Sequence, residues 1–487
     1  MSIKNDINKI LLKKFPHLEI SVVKYSEVQT DNESKRIDSE YFKQEYLENE
    51  RIIKSRDYTK LLNVCYFIRN GDDCRDYEEN GIKYIRTGDI KEYGLDLNNC
   101  ATIRNDFISE IKLSIGDLLI TRKGNYGKSQ VINKKEILKS IISSEIFLIK
   151  LKNINPYYAD TFLKSKFGQS QFERNIHGVS NFSVTQEALL NFLIPIFPKE
   201  FQLEIETMVK DSHKALENSK KLYKEAEKIL YEALGLDAKN PLESILSFRE
   251  KNKVIHNHLK RYKRLNISIR TYKESYLKTG RLDAEYYQEK FRKNEILIKN
   301  FAHAKLSDLV NIQKSIEPGS EAYQDDGIEF IRVANLGKFE LSKSYIYLDK
   351  IKFINELEKL YPQKDMILLT KDGSIGIAYC VPENLNCITS AAILHLKIKD
   401  KNIILPQVLT LIINSIIGQL QAQRDSGGAI ISHWTISEIE NILIPLLDLK
   451  TQRKIEAKVK QSFELRDKSK ELLENAKVKI ENAIIDS

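Results

Sequence analysis

One stretch of the chain recurs in its second half, and this recurrence decides the fold. Residues 116–127 have the sequence GDLLITRKGNYG, and residues 364–376 have the sequence KDMILLTKDGSIG. Each stretch joins a run of apolar and β-branched residues to a turn that contains two glycines. The run is typical of a buried β-strand, and the glycines are typical of a tight turn. The sequence therefore predicts the same strand-and-turn unit twice.

Further segments repeat in the same order, about 245 to 250 positions apart. They are RIDSEYF at 36–42 and RLDAEYY at 281–287, GIKYIR at 81–86 and GIEFIR at 327–332, and LIP at 193–195 and at 443–445. Any one match alone would be a generic strand or turn. Together, in order and at a slowly drifting offset, they indicate two duplicated domains.

A long helical pattern follows each repeat. Apolar and small residues recur in steps of four and three over residues 205–233 and again over 455–483. This spacing averages about 3.5 residues, which is the seam of a coiled coil. Serine and alanine occupy matching seam positions, so two backbones could approach closely. Gly235 is in the usual place to end the first helix.

The fold class that we predict is α/β, of the mixed α+β type, because each repeat combines several strands with a few helices. The strands are expected at 82–86, 118–121 and 145–151 with their counterparts at 328–332, 367–370 and 393–398, and the helices at 158–166 and 405–423. The predicted domains are an N-terminal segment at 1–34, the first repeat at 35–197, a central long helix at 198–236, a connector at 237–280, the second repeat at 281–446 and a C-terminal long helix at 447–487.

Composition sets limits on the class of protein. The 487 residues are 42% hydrophobic and 30% charged, which excludes disorder of the chain as a whole. The net charge of +9 permits a nucleic-acid partner without requiring one. The sequence contains neither an apolar run long enough to cross a bilayer nor a signal-peptide pattern, so we expect a soluble, intracellular protein. The five cysteines lack CxxC spacing, which disfavours a zinc site or a disulfide framework.

The motifs of common catalytic sites are missing from the sequence. It has no HExxH, GxSxG or Walker pattern, and its Gly-x-x-Gly turns lack the full nucleotide fingerprints. Residues 153–158, NINPYY, are similar to the Asn-Pro-Pro-Tyr motif of amino-methyltransferases but lack its second proline, so we interpret them as a turn before a helix. We therefore predict no catalytic residue, no cofactor and no metal site.

Two loops precede the LIP segments and differ in detail. They are residues 178–183, after His177, and residues 427–435, which include His433. Two recognition loops with different targets would have this appearance, and so would two loops that have drifted without consequence. The sequence leaves both interpretations open. The Gly-x-x-Gly turns are better explained as plain strand-to-strand turns, and the alternative is that their backbone amides and flanking basic residues contact phosphate.

The doubled order of these motifs resembles the DNA specificity (S) subunits of Type I restriction–modification systems. The RIDSEYF-type opening, the GDLLITRKGNYG segment and the Ile-Pro exit into a long helix carry the likeness, from about residue 20 to the end of the chain. Glutamine in the turns at 201–205 and 451–455 also fits the family. One departure is Lys364-Asp365, where the family has Gly-Asp.

The resemblance implies a non-catalytic reader of double-stranded DNA. Each repeat would be a target recognition domain for one half of a bipartite, asymmetric site, in an approximately two-fold arrangement. The two long helices would pack antiparallel as a spacer between the halves. The implied partners are two methyltransferase subunits, which methylate adenine, and an endonuclease subunit that translocates DNA.

Side chains that neutralise phosphate or bond to base edges supply the candidate DNA-binding residues. In the first repeat they are Arg86, Arg122, Lys123, Asn125, Tyr126, Lys128, Ser180 and Asn181, and in the second Arg332, Asn335, Lys371, Asp372, Ser374, His433 and Trp434.

Two alternatives accompany this hypothesis. The first is the specificity subunit of a Type IIB-like restriction enzyme, whose partner is a fused nuclease–methyltransferase. The second, of another class, is a coiled-coil assembly scaffold whose repeats bind protein.

Overall fold

The computed structural model describes residues 2–30, 35–92, 94–97, 99–176, 182–248, 269–353, 359–426 and 433–486. The chain divides into two compact units. Unit 1 comprises residues 1–217 and 466–487, and unit 2 comprises residues 218–465. The boundary falls within both long helices, whereas the sequence-based domains keep each helix whole. Those domain bounds stay a prediction.

Unit 1 mixes short strands with helices of one to three turns. Its helices before the long one are α1 (Ser2–Lys14), α2 (Tyr25–Thr30), α3 (Gln44–Lys54), α4 (Leu61–Val64), α5 (Pro156–Lys164), α6 (Lys166–Arg174) and α7 (Gln186–Leu190). Its strands are β1 (Tyr58–Lys60), β2 (Cys65–Asn70), β3 (Tyr77–Ile85), β4 (Ile90–Lys91), β5 (Gly94–Leu95), β6 (Ala101–Ile103), β7 (Leu118–Thr121), β8 (Ser129–Val131), β9 (Ile141–Ile142), β10 (Ile146–Leu151) and β11 (Leu193–Pro195). The long helix α8 (Lys199–Ala233) follows.

Unit 2 repeats this series. Its helices are α9 (Pro241–Ser247), α10 (Tyr276–Thr279), α11 (Glu289–Lys299), α12 (Leu306–Leu309), α13 (Pro406–Asn414), α14 (Ile416–Asp425) and α15 (Ile436–Glu440), before the long α16 (Leu449–Asp486). Its strands are β12 (His303–Lys305), β13 (Val310–Lys314), β14 (Tyr323–Gln324), β15 (Ile328–Ile331), β16 (Tyr347–Leu348), β17 (Ile367–Thr370), β18 (Ala378–Cys380), β19 (Cys387–Thr389), β20 (Ile393–Ile398) and β21 (Leu443–Pro445).

The main sheets of the two units have the same topology. The strand order is β2-β10-β7-β8 in unit 1 and β13-β20-β17-β18 in unit 2, and all neighbours are antiparallel. Each unit also has a two-stranded pair, β1-β11 or β12-β21, and a smaller sheet in which β3 or β15 pairs in parallel with β9 or β19. The mixed α/β class and the duplication are confirmed.

The central strand of each main sheet is buried on both faces. In β7, Leu118 and Ile120 pack with the helices α5 and α6, while Leu119 packs with the smaller sheet on the opposite face. In β17, Ile367 and Leu369 likewise belong to a different core from Leu368. This is why the sequence has an uninterrupted apolar run instead of an alternating one.

The helix predicted at 158–166 corresponds to α5 and is followed by a second helix, α6, that the sequence did not predict, whereas the helix predicted at 405–423 is two helices, α13 and α14. Ser165 and Ser415 separate the pairs and cap the second helix of each with their hydroxyl groups. A β-carbon on Gly168 would lie 2.4 Å from a carbonyl oxygen of the first helix, and one on Gly418 would lie 2.3 Å from one. The glycines therefore let the two helices meet at a close corner that apolar periodicity cannot indicate.

The difference from the family's Gly-Asp at Lys364-Asp365 is explained by how the two repeats align in the structure. Asp365 has φ of +68° and its amide donates to Val381 at 2.9 Å, as the amide of Gly116, at φ +91°, donates to Ile132. Asp365 therefore replaces Gly116. Aspartate is one of the few residues other than glycine that adopt this left-handed conformation at modest cost.

Within unit 1, the two long helices pack antiparallel through buried serines. The hydroxyl of Ser212 donates to the carbonyl of Ser469 at 2.8 Å, and the two hydroxyl oxygens are 2.9 Å apart. Lys479 of α16 pairs with Glu204 of α8, so the register runs in opposite directions along the two helices.

Unit 2 repeats the serine contact with the roles exchanged. There the hydroxyl of Ser462 donates to the carbonyl of Ser219 at 2.8 Å, and Lys458 pairs with Glu225. The small seam residues allow the close approach that the sequence predicted.

The predicted seam is confirmed over most of its length and shifts at its end. Ile205, Val209, Ala226 and Leu230 are buried, but burial then passes from Ala233 to Leu234. In α16 it passes in the same way from position 483 to Ile484. A 3.6-residue helix drifts about 20° per heptad against a 3.5-residue repeat, which accounts for the one-residue shift.

We expect Ser212→Val to lower the free energy of unfolding by roughly 1–3 kcal/mol, because it overpacks the seam and leaves the hydroxyl of Ser469 without its partner. Thr207→Val is the control, since Thr207 is an exposed β-branched residue on the same helix. Urea denaturation measures both. Equal stability of the two variants would contradict the packing role.

The half-buried His213 and the buried His395 predict a loss of stability in mild acid. Burial lowers the pKa of His213 and of His395 to about 4, from 6.5 for the free side chain. Between these values the unfolded chain takes up protons that the folded chain does not, so stability falls as the pH drops from about 7 to about 4. Urea denaturation at pH 7.5 and pH 5 should show a smaller difference for His213→Gln or His395→Gln than for the wild type, whereas the exposed His303→Gln should leave the difference unchanged.

Among the described helices, none combines the length and apolarity that crossing a membrane requires.

Candidate nucleic-acid interface

A buried threonine shapes the glycine turn that leaves β7. The hydroxyl of Thr121 donates to the carbonyl of Asn125 and accepts from the amide of Lys128 at 3.0 Å. The amide of Gly127 donates to the carbonyl of Thr121 at 3.0 Å, and Gly127 has φ of +75°. The result is a tight hairpin turn between β7 and β8 that carries Lys123 at its tip.

The turn after β17 has the same bonds. The hydroxyl of Thr370 donates to the carbonyl of Ser374 at 2.5 Å and accepts from the amide of Ile377 at 2.9 Å. The amide of Gly376, at φ +77°, donates to the carbonyl of Thr370 at 2.9 Å. A strand-to-strand turn is therefore what both Gly-x-x-Gly patterns form.

Each turn rests against the helix corner through a glutamine. The side-chain amide of Gln169 donates to the carbonyl of Gly127 at 3.1 Å and to that of Leu163 at 2.7 Å. Gln419 makes the equivalent bonds to Gly376 and Ile413. The turn is thus held in place by backbone and helix contacts and leaves its tip residues to vary.

The structure brings each turn together with the loop that was singled out from the sequence. In unit 1, the amide of Val184 donates to the carbonyl of Arg122 at 2.8 Å, and Lys123 pairs with Ser183 as an isolated antiparallel bridge. In unit 2, Trp434 donates to Lys371 at 2.8 Å, and Asp372 pairs with His433. In each repeat, the turn therefore lies beside the described end of the loop, at Ser183 or His433.

The first repeat presents a cationic turn. Asn125 and Lys128 are exposed, and Lys123 is half-buried. The guanidinium of Arg122 lies over the ring of Phe147 at 5.6 Å, and Tyr126 packs edge-on against Phe182. Ser180 and Asn181, and His177 as well, lie outside the described residues.

The second repeat differs at the same places. Ser374 and His433 are exposed. Lys371 forms an ion pair with the neighbouring carboxylate of Asp372, which also bonds to His433 at 2.9 Å. Burial acts to raise the pKa of Asp372, but the hydrogen bonds from Lys371 and His433 hold it below its usual value. The turn of the first repeat is therefore positively charged, whereas the turn of the second repeat has a net charge close to zero.

Trp434 is a core residue. Its side chain is only 1% exposed and packs in the main core of unit 2, which places the ring out of reach of a DNA partner. Val184 is buried at the equivalent place in unit 1. This apolar counterpart is the signal in the sequence that would have identified Trp434 as a core position.

Arg86 and Arg332 lie at the ends of β3 and β15, in a different sheet from the turns. Both are exposed, and each begins a short 3-10 turn. Asn335 completes that turn by accepting from the amide of Arg332 at 3.0 Å and donating to the carbonyl of Lys343 at 3.2 Å. Its amide group therefore has a local structural role.

The RIDSEYF opening has a function that sequence reasoning missed. Arg36 forms two hydrogen bonds to Asp38, at 2.6 and 2.7 Å, and donates to the carbonyls of Arg174 and Ile176 at 3.0 and 3.1 Å. The guanidinium of Arg174 lies 4.2 Å from the centre of the Tyr41 ring. The opening thus fastens the end of α6, where the chain leaves for the loop.

Unit 2 has the same clamp. Arg281 bonds to both carboxylate oxygens of Asp283, at 2.7 and 2.8 Å, and to the carbonyl of Asp425 at the end of α14. Its guanidinium lies 4.5 Å from the centre of the Tyr286 ring. The recurrence of Arg-x-Asp-x-x-Tyr was the available signal, because a motif kept in both repeats serves the shared frame and not a target that differs between them.

Metal or thiol chemistry has little support in the part of the chain that the structure describes. There, no group of three or more histidine, cysteine or acidic side chains is arranged to hold a metal ion. The cysteine thiols are free, and burial raises the pKa of Cys100, Cys380 and Cys387 to about 12, so these three are protonated at neutral pH.

We expect Gly127→Ala to destabilise the protein by roughly 1–3 kcal/mol, because the backbone there is left-handed and the new β-carbon would lie 3.1 Å from the ring of Phe172. Gly88→Ala is the control, since a β-carbon there would contact nothing within 4 Å. Thermal unfolding followed by circular dichroism compares the two. A Gly127→Ala variant as stable as Gly88→Ala would show that the turn tolerates another geometry.

Comparison with known proteins gives a consistent result. Residues 298–478 match the family model of the Type I restriction modification DNA specificity domain. The chain is 25% identical over 215 residues to the Type I restriction enzyme EcoBI specificity subunit of Escherichia coli, an alignment that covers 42% of this chain and 45% of that relative. It is 23% identical over 446 residues to the putative type I restriction enzyme MjaX specificity subunit of Methanocaldococcus jannaschii, over 88% of this chain and 92% of that one.

Among solved structures, the S subunit of a Type-I restriction-modification system from M. genitalium aligns at 14% identity with a TM-score of 0.41, over 88% of this chain and 94% of that one. The family model and the curated relatives agree with the motifs that the two repeats share. Residues 298–478 thus match the Type I restriction modification DNA specificity domain, and the chain is similar over most of its length to a specificity (S) subunit of a Type I restriction–modification system.

Proposed function

We propose that this chain is the non-catalytic subunit that reads a bipartite, asymmetric site on double-stranded DNA. One observation carries the proposal: two copies of the same turn-and-loop frame hold different side chains at equivalent places. Such a frame can present two sets of contacts, each suited to a different half of one site. Because this DNA is inside the cell, the protein would act there.

The pairs of equivalent residues support two different half-sites. They are Lys123 and Asp372, Asn125 and Ser374, Lys128 and Ile377, and Ser183 and His433. The threonines, glycines and glutamines that shape and hold the turns are the same in both repeats. The side chains at the tip, by contrast, differ between the repeats, as base-reading groups for two different half-sites must.

We assign separate roles to the candidate residues. Arg122, Lys123 and Lys128 would neutralise phosphates, and Asn125 could bond bidentately to adenine. In the second repeat, Lys371 and Ser374 would make the corresponding contacts, and Arg86 and Arg332 would reach the backbone from the neighbouring sheet. Asn335 and Trp434 are left out because one completes a local turn and the other is in the core. Ser180 and Asn181 remain predictions.

The long helices and the partners complete the proposal. Antiparallel α8 and α16 would serve as the spacer that sets the number of base pairs between the half-sites, because length along a duplex converts directly into sequence separation. Two methyltransferase subunits would methylate adenine, and an endonuclease subunit that translocates DNA would complete the complex. Both DNA and these partners are inferred from the family.

Loss of cations from the first turn should weaken binding and its dependence on salt. For the Lys123→Ala, Lys128→Ala double variant, assembled with the methyltransferase, we expect the slope of log K against log salt to fall by about 1.8, since each phosphate contact contributes about 0.9. Lys112→Ala is the control, because Lys112 is exposed and precedes β7 at the end opposite the turn. Fluorescence anisotropy over 50–300 mM salt measures the slope.

Four outcomes separate the hypotheses. A methylome that gains one bipartite motif when the chain is expressed with its partner supports the proposal. An unchanged slope in the double variant places phosphate contacts elsewhere. No affinity for DNA, with the partner present, would instead favour the assembly scaffold, and a partner that is a single fused nuclease–methyltransferase would favour the Type IIB-like enzyme.

A further inference from the structure

The second repeat holds an exposed imidazole against a carboxylate at the tip of its turn. Nδ1 of His433 lies 2.9 Å from Oδ1 of Asp372, and the side chain of His433 is 63% exposed. The two backbones meet there as an antiparallel bridge. In the first repeat the equivalent bridge joins Lys123 and Ser183. A lysine and a serine in one repeat therefore correspond to an aspartate and a histidine in the other.

The carboxylate determines which ring nitrogen carries the hydrogen. The pKa of Asp372 is held below its usual value, so the group is ionised at neutral pH and can only accept hydrogen bonds. Nδ1 of His433 must then be the donor. This leaves Nε2 directed away from the carboxylate, as a bare acceptor in the neutral ring and as an N–H donor once the ring is protonated.

The charged groups around His433 are few among the described residues. Asp372 bonds to it directly, and Lys371 pairs with the other oxygen of that carboxylate. Glu438, in the following helix α15, accepts from the amide and hydroxyl of Thr435 at 3.0 and 2.7 Å. Lys371 thus offsets the charge of Asp372, and the bond from Nδ1 to Asp372 fixes the orientation of the ring.

We propose that His433 is a proton-dependent DNA contact of the second repeat and that Asp372 is its positioning residue. This inference rests on the proposed function and goes further, since it assigns a chemical state to one contact. Phosphate oxygens and the O6 and N7 atoms of guanine are acceptors, so the protonated ring is the form that can bond to them. The negative potential of DNA also favours proton uptake.

Binding of DNA by the second repeat should therefore strengthen as the pH falls. The equivalent bridge of the first repeat contains no histidine, so the response should come from the second repeat. For one proton taken up on binding, affinity changes by at most tenfold per pH unit. We expect the Kd to fall by roughly three- to tenfold between pH 8 and pH 6.

The test uses the full chain assembled with its methyltransferase partner. Fluorescence anisotropy gives the Kd at pH 6, 7 and 8, at constant ionic strength, for a duplex that contains the site found by methylome sequencing and for an unrelated duplex of equal length. His433→Gln should abolish the response. Asp372→Asn should show a smaller response than the wild type, because the amide stabilises a protonated ring less well.

Two controls keep the result interpretable. His303→Gln removes an exposed histidine of β12 and should leave the response intact. Thermal unfolding of each variant checks that the second repeat is still folded, and Asp372→Asn provides an independent measurement if His433→Gln is unstable.

Each outcome decides the matter. A response on both duplexes supports a phosphate contact, and a response on the specific duplex alone supports a base-edge contact. A wild-type response that persists in His433→Gln, or affinity that falls on acidification, overturns the inference while selective binding leaves the proposed function standing. A wild-type complex without preference for its site at any pH defeats the proposed function itself.

Discussion

In each repeat, the hydrogen bonds of one buried threonine hydroxyl determine the shape of the glycine turn that follows the central strand. Thr121 and Thr370 are completely buried at the ends of the central strands, and each both donates to and accepts from the backbone of the turn that follows. Leaving such groups unpaired in the core would cost more than the bonds contribute, so the turn has one favoured shape. Strand position, turn and loop attachment all follow from this shape.

Because the turn is specified by backbone bonds, its tip is free to change. Neither Lys123 nor Asp372 contributes a side-chain bond to the closing of its turn, and the glutamines that hold the turns bond to carbonyls. The same separation appears at the other end of each loop, where Arg36 and Arg281 bond to main-chain oxygens of the preceding helix. A frame of this kind can be kept while its target changes.

Most of the architecture could be predicted from the sequence because it depends on apolar periodicity. The strands at 118–121, 367–370 and 393–398 and the seam from Ile205 to Leu230 follow directly from buried spacing. The split helices, the clamp of Arg36 and the burial of Trp434 could not, since each depends on a contact between distant segments. The joining of turn and loop belongs with these, and it defines the candidate site.

The antiparallel packing of the long helices has a consequence for the order of folding. Unit 2 is one continuous segment, but the core of unit 1 includes Ile480 and Ile484 from the far end of the chain. During synthesis from the N-terminus, unit 1 is made first, but part of its hydrophobic core therefore stays uncovered until the ribosome has passed Ile484. Unit 2 can complete its core sooner. Unit 1 is therefore the part of the chain that is exposed to aggregation or proteolysis for longer.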